Sequence, residues 1–354
     1  MLLVGSVNTN IHITKNNIEL TPLQETNLNS LPIFKKSIDD HSDSLNKILG
    51  MLKEILSRLK ALEDEKKQDA ITKVIDLNTD NLFIVFGSSG MRGSAEMGAW
   101  KAIRELGLEE HIKGAVGSSI GSIMSAMFVA GEYEKSMTLW NNITEQQVFP
   151  DPTSQRTLEQ DNAIIAQMYK YNSSIKDIAI VVDSLVNGTR SNEGYRNIIN
   201  ENVNLDKIMA SDKELIITTI DITKLKLLKA NREEMTRDLI PVYILASGAC
   251  VPVLPAVTIN GDTCIDSGYI DPVPIDVARQ YGATKIIAID INTNASLSDE
   301  EAAARDLIYI HPNVQGSFLD FDQETVQANI TEGYNAVINA FKNVTIIPKT
   351  TATN

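Results

Sequence analysis

The chain is short of the side chains that most hydrolytic and metal chemistry relies on. It has four histidines in 354 residues, at positions 12, 41, 111 and 311, and two cysteines, Cys250 and Cys264. The two thiols form no metal-ligand pattern, and such sparing use of cysteine suits a reducing compartment. Positive charge is scarce as well. Lys and Arg total 32 against 46 Asp and Glu, a formal net charge of −14, and no dense basic patch interrupts it. That balance argues against a nucleic-acid-binding surface and against purely electrostatic docking on anionic lipid. A long hydrophobic run is missing too. The least polar stretch, Gly114 to Gly131, contains too many serines and glycines for a membrane span and reads as core. Met1-Leu2-Leu3-Val4-Gly5 and the polar residues after it lack the charged start and apolar run of a signal peptide. The expectation is a cytoplasmic protein, peripheral to membranes when acting.

What is present is ordinary for a globular protein: 43% hydrophobic and 22% charged residues. The length suits one large domain or two modest ones. Residues 1–38 show no sustained period and read as a loosely ordered arm. From Ser44 to Lys67, Leu45, Leu49, Leu52, Leu56 and Leu59 recur at spacings of four and three, predicting an amphipathic helix with a heptad-like seam. Glu54 and Arg58 sit four apart with the acid first, the favourable order. Such a helix can lie against its own domain or serve self-association or a protein partner, and the sequence leaves both open. Beyond residue 80, apolar strands alternate with helices: Leu82–Phe86, Glu214–Asp221 with a hairpin partner at Leu225–Leu228, Lys285–Asp290, Leu307–His311 and a last helix Gln323–Phe341. Alternation of this kind predicts an α/β layer sandwich. The expected boundaries are 1–78 for arm and helix, 79–347 for the α/β domain and 348–354 for a tail.

Gly114-Ala115-Val116-Gly117-Ser118-Ser119-Ile120-Gly121-Ser122 runs as a short strand into a glycine-flanked serine and then into a helix. Gly117-Ser118-Ser119-Ile120-Gly121 is a G-x-S-x-G elbow in the strand–turn–helix setting that pattern requires. A serine hydroxyl is a weak nucleophile. A sharp turn lifts it clear of the sheet, where a base and a substrate both reach it, and the new helix points free N–H groups at a developing oxyanion. Ser119 is therefore the candidate nucleophile, with Ile120 as an N–H donor and Gly117 and Gly121 allowing close approach. About thirty residues earlier, Gly87-Ser88-Ser89-Gly90-Met91-Arg92-Gly93 follows a buried strand and opens a helix. It is neither a G-x-G-x-x-G loop nor a Walker loop. Convergent N–H groups in such a loop can build the rest of an oxyanion hole, with Arg92 pinning the loop or adding positive charge.

A base is harder to find. His12 and His41 lie in the arm, and His111 precedes the elbow strand at its N-terminal end. His311 ends a strand and stays a minor candidate. A carboxylate bonded directly to the serine, its pKa raised in a dry pocket, avoids histidine altogether. Asp266, after the strand Thr263-Cys264-Ile265 and before Ser267-Gly268, is the best-placed acid, with Asp221, Asp271 and Asp290 as rivals. Residues 132–210 read as mostly helical and without chemistry. Their aromatics Tyr133, Trp140, Phe149, Tyr169 and Tyr171 read either as a lipid-facing cap or, with more weight, as scattered core and surface residues.

Together these segments resemble the patatin-like phospholipase family over about residues 80–345. The family's G-G-G-x-R-G motif falls on Ser88–Gly93, its G-x-S-x-G on Gly117–Gly121, and its D-G-G or D-G-A on Asp266-Ser267-Gly268. Ala246-Ser247 ahead of two prolines resembles the family's approach to that acid. The resemblance implies a three-layer α/β/α sandwich with a mostly parallel central sheet, here with an N-terminal helical extension. It also implies a Ser119–Asp266 dyad that cleaves fatty acyl esters of phospholipids at a membrane surface, with no metal or cofactor. Ser89, Gly90, Met91, Arg92 and Ile120 then form the oxyanion hole, and Gly87, Gly93, Gly117, Gly121 and Gly268 are the motif glycines. Serine replaces glycine at 88, 89 and 267, and it tolerates left-handed dihedrals poorly, which predicts distortion wherever one is needed. A second reading follows from those changes: a catalytically silent protein that binds lipid or a partner.

Overall fold

Continuous apolar runs offer water no polar face, so a sheet built from them has to be covered on both sides. The computed structural model describes residues 73–151, 156–170 and 190–350, the short stretches 11–14 and 17–20, and single positions 51, 53, 54, 58, 175 and 178. The chain divides into two compact units, Met1–Ala70 and Ile71–Asn354. In the first unit β1 (Ile11–Thr14) and β2 (Asn17–Leu20) pair as an antiparallel hairpin within the stretch expected to be loosely ordered. Four-residue strands are too short to leave a readable period. Of the predicted helix 44–67, Met51, Lys53, Glu54 and Arg58 are helical, and Arg58 Nη2 lies 2.7 Å from Glu54 Oε1. Its leucine seam lies outside the described residues.

Among its described residues the second unit carries ten strands: β3 (Lys73–Asp76), β4 (Leu82–Phe86), β5 (Gly114–Ser118), β6 (Glu214–Asp221), β7 (Lys226–Asn231), β8 (Val257–Ile259), β9 (Asp262–Ile265), β10 (Lys285–Ile289), β11 (Leu307–Ile310) and β12 (Val344–Ile347). Its main sheet has the order β11-β10-β4-β5-β6-β9-β8, with β7 also paired to β6. The strands β11 to β6 are all parallel, whereas β7, β8 and β9 run antiparallel to their neighbours. Between β8 and β9, Asn260 and Gly261 both have positive φ (52° and 92°), the type I′ geometry that an Asn-Gly turn favours.

Side chains alternate across this sheet, and each face has its own cover. Ile84, Phe86, Ala115, Leu215, Ile217, Ile287 and Ile289 face the larger core, shared with α1 (Ser94–Glu105), α2 (Ile120–Val129) and α11 (Gln323–Phe341). The intervening Phe83, Val85, Val116, Ile216, Ile286 and Ala288 pack against Ile275, Val277 and Ala278 of α9 (Ile275–Gln280). The second unit is thus a three-layer α/β/α arrangement with one thick and one thin helical layer. Among the described residues the further helices are α3 (Tyr133–Asn142), α4 (Glu145–Val148), α5 (Leu158–Lys170), α6 (Glu193–Asn202), α7 (Leu205–Ala210), α8 (Arg232–Ser247) and α10 (Asp299–Ala302). The second unit includes β3, ahead of the expected boundary at 79, and β3 pairs in parallel with β12. Both strands mix exposed and half-buried residues, so neither reads as core in the sequence.

One core position is costly. Glu96 of α1 is fully buried, and no side chain pairs with its carboxyl among the described residues. Burial raises its pKa well above the ordinary 4.5, against the smaller opposing pull of a hydrogen bond from the Gly87 N–H. The unfolded chain releases this proton near pH 4.5 while the folded chain keeps it, so wild-type stability falls as pH rises above that value. Glu96→Met is expected to raise the free energy of unfolding by about 1–3 kcal/mol at pH 8, and by less at pH 5. Urea unfolding at the two pH values measures the difference. An equal gain at both would contradict this account.

Candidate active site

Strand β5 ends at Ser118 and α2 begins at Ile120, and the single residue between them turns the chain out of the sheet. Ser119 has φ 54° and ψ −123°, a conformation that costs a non-glycine residue about 1–3 kcal/mol. Several contacts hold it there. Its N–H donates to Ser247 Oγ at 2.8 Å, and its carbonyl accepts from Ser122 Oγ at 2.6 Å. The turn is tight enough that a Cβ on Gly121 would lie 2.2 Å from Phe86 O. No side chain larger than hydrogen fits at that position.

Two strands of opposite direction converge on this turn. Residues 216–218 of β6 pair with β5 and with β7 at once, and residues 220 and 221 pair with β7 and with β9. A strand has only two edges, so β5 and β9 share the one that β7 leaves open. They approach each other along it and stop at Ser118 (opposite Thr218) and Ile265 (opposite Ile220). That separation is two residues of β6, about 7 Å. The next residue of each, Ser119 and Asp266, turns out at the junction. Ser119 Oγ donates to Asp266 Oδ2 at 2.6 Å, across 147 positions of sequence. Asp266 Oδ1 accepts from Gly268 N at 2.7 Å, which aims the carboxylate. Burial pushes the Asp266 pKa up to about 7, against the opposing pull of the Ser119 and Gly268 hydrogen bonds.

The loop from Gly87 to Gly93 sits beside this pair. The left-handed dihedral it needs falls on Gly90 (φ 59°), where a Cβ would meet Phe318 O at 2.3 Å. Ser88, Ser89 and Ser267 have no positive φ, so the distortion that serine would cause in a left-handed position does not arise. Their hydroxyls are bonded instead. Ser88 Oγ lies 2.7 Å from Tyr169 OH, Arg92 Nη1 donates to Ser89 Oγ at 2.9 Å, and Ser267 Oγ lies 2.8 Å from Ser118 Oγ and 2.9 Å from Thr218 Oγ1. Arg92 also donates twice to Gly316 O, at 3.0 and 2.7 Å, with its guanidinium over the Phe318 ring. It pins the loop.

The expected donor set narrows as a result. Met91 N–H donates to Phe318 O at 2.7 Å and Arg92 N–H to Ser89 O at 3.3 Å, so both are engaged. Among the described residues nothing accepts from the N–H groups of Ser89 and Gly90, or from Ile120 at the first turn of α2.

Ser119 and Asp266 open into a pocket whose walls are almost wholly apolar, including Met91, Ile123, Trp140, Ile165, Leu254 and Phe321. The region read as lacking chemistry supplies much of it. Trp140, Phe149, Tyr169 and Tyr195 line the pocket, whereas Tyr133 packs against Trp100 and Arg104, and Tyr171 lies outside the described residues. A buried ion cluster fixes this wall: Asp161 lies 2.6 Å from Arg190 and 3.0 Å from Arg156, and Arg190 covers the Phe149 ring. No local pattern marks Tyr195; only its place at the start of α6 brings it here.

The rival bases sit elsewhere. His311 Nε2 bonds Asn292 O at 2.8 Å on an exposed surface, and His111 faces Glu110 at 3.4 Å. His41 and the side chain of His12 fall outside the described residues. Asp221 caps the turn to β7 through Lys224 N, and Asp290 binds the backbone of Asn292 and Ser296. Neither these nor Asp271 lines the Ser119 pocket. Among the described residues no cluster of three or more His, Cys, Asp or Glu could hold a metal, and no helix is long and apolar enough to cross a membrane.

Comparison with known proteins adds a lineage to this geometry. The family model for patatin-like phospholipase matches residues 84–279. Patatin-like phospholipase domain-containing protein 7 of Rattus norvegicus is 28% identical over 247 residues, covering 69% of this chain and 16% of that protein. Lysophospholipase NTE1 of Debaryomyces hansenii is 23% identical over 253 residues, 71% of this chain and 14% of that one. The chain therefore spans only a small part of the length of these relatives. Among solved structures, VipD from Legionella pneumophila is 14% identical with a TM-score of 0.43, covering 74% of this chain and 66% of that one.

Proposed function

The chain belongs to the patatin-like phospholipase family, and from that premise we propose that it is a serine lipid acyl hydrolase cleaving fatty acyl esters of phospholipids. What carries the reading is the 2.6 Å bond from Ser119 Oγ to a buried carboxylate at the base of an apolar pocket. Asp266 takes the Ser119 proton as Oγ attacks the ester carbonyl, and the N–H groups of Ser89, Gly90 and Ile120 hold the oxyanion. The proton passes to the departing alcohol. Water then attacks the acyl-enzyme with Asp266 again as base. The pocket's apolar walls suit a fatty chain, and the name of the Debaryomyces relative extends the candidate substrates to single-chain phospholipids. Membrane contact at this mouth would be hydrophobic, given the net charge of −14.

A fluorophosphonate probe tests the nucleophile, and release of free fatty acid from phospholipid and lysophospholipid tests the substrate class. Labelling mapped to Ser119 together with acid release is expected. An unlabelled Ser119 would favour the silent, lipid-binding alternative, which the bonded serines at 88, 89 and 267 no longer motivate. The base acts ionised, and its pKa of about 7 sets the pH profile. kcat/KM is expected to climb tenfold per pH unit up to about 7 and to level above it. A profile flat from pH 5 to 8 would remove Asp266 as base.

A further inference from the structure

Among the polar groups in the pocket wall that the steps above do not use, Tyr195 stands nearest the turn that holds Ser119. Tyr195, in the first turn of α6, is 7% exposed, and its buried hydroxyl has the Ser122 hydroxyl as its hydrogen-bonding neighbour. Two neighbours place it beside the reacting pair. Its ring lies over Gly248, where a Cβ would come within 2.6 Å of it, and Gly248 directly follows the Ser247 that binds Ser119 N–H. On the other side is the Ser122 hydroxyl, which spends its proton on Ser119 O. The Asp266 carboxylate acts on Tyr195 as well, raising its pKa further beyond what burial does. The phenol therefore stays protonated throughout the working range, a standing donor in a pocket otherwise nearly devoid of them.

We infer that Tyr195 donates a hydrogen bond to the alcohol-side oxygen of the ester and assists its departure. The inference rests on the acyl hydrolase reading. In the acylation step the Ser119 Oγ–carbonyl carbon bond forms and the bond from that carbon to the alcohol oxygen breaks. The proton held by Asp266 moves to that oxygen. Tyr195 keeps its own proton and only shares it, which matters in proportion to the negative charge on the leaving oxygen. Alkyl esters, whose alkoxides are strongly basic, need this help. Nitrophenyl esters, which leave as stable phenolates, do not.

The test is a leaving-group series on Tyr195→Phe, using butyrate esters that run from nitrophenol to simple alcohols. The variant is expected to stay within about threefold of wild type on the nitrophenyl ester and to lose about ten- to a hundred-fold in kcat on the alkyl esters, steepening the dependence on leaving-group pKa. A purely packing role would lower all esters by the same factor, and that result, or no loss on any of them, overturns the inference. Wild-type protein that turns over none of the series overturns the hydrolase reading itself, so the two failures are distinguishable. Should Tyr195→Phe unfold, Tyr195→His, which restores a donor, is expected to recover alkyl-ester turnover selectively, and recovery without that selectivity counts against the proposal.

Discussion

Ser119→Ala is expected to lower ester hydrolysis by at least ~10⁴-fold and to abolish fluorophosphonate labelling while the fold persists. The loss is large because nothing replaces the attacking oxygen; what survives is the help the oxyanion donors and the pocket give to water. The same position offers a stability readout. Ser119→Gly lacks the hydroxyl too and should be equally inactive, but it has no Cβ to resist φ 54°. It is expected to be more stable than Ser119→Ala by about 1 kcal/mol, measured by urea unfolding. The two variants differ in a single methyl group, so the difference isolates the strain of the elbow. Equal stability would mean that Ser119 is not strained as described, and hydrolysis at the wild-type rate by either would end the nucleophile assignment.

Asp266→Asn is expected to cost about 10⁴-fold in kcat, with little change in fold. Its amide oxygen can still accept from Gly268 N, as Asp266 Oδ1 does at 2.7 Å. Its NH₂, however, meets Ser119 Oγ as a donor, reversing the bond that Oδ2 accepts at 2.6 Å. The serine then has nowhere to send its proton. The inflection near pH 7 should vanish with the carboxylate. A variant that kept both its rate and its inflection would place the base on another group.

Much of this arrangement was readable before any coordinates. Leu82–Phe86, Glu214–Asp221 and Gln323–Phe341 fall where the pattern puts them, because unbroken apolar runs and long amphipathic periods are local signals. The elbow, the loop and Asp266 were legible for a related reason: each is a short motif tied to a strand end. What escaped was made by residues distant in sequence. Phe318 takes Met91 N–H across more than two hundred positions, and no pattern near Met91 announces it. The strand pair β3 and β12 was invisible because half-exposed four-residue strands resemble loops. Phe149 could be read only as one of several aromatics, a lipid-facing cap or scattered residues, and Tyr195 carried no local mark, since lining a pocket is a property of the assembled walls. The serine-for-glycine changes predicted a backbone distortion that the dihedrals do not show. Sequence could say which residues were replaced but not which one carries the positive φ, and that one, Gly90, is unchanged.

The pairing of β3 with β12 has a topological consequence. Lys73 lies opposite Val344 and Asp76 opposite Ile347, so the polypeptide enters and leaves the α/β unit through one four-residue ribbon. Its points of entry and exit are about 10 Å apart. A unit whose two ends meet in this way behaves as a cassette: a host loop needs only a short gap to accept it, and a brief linker between 347 and 73 would let the chain be reopened at another surface turn.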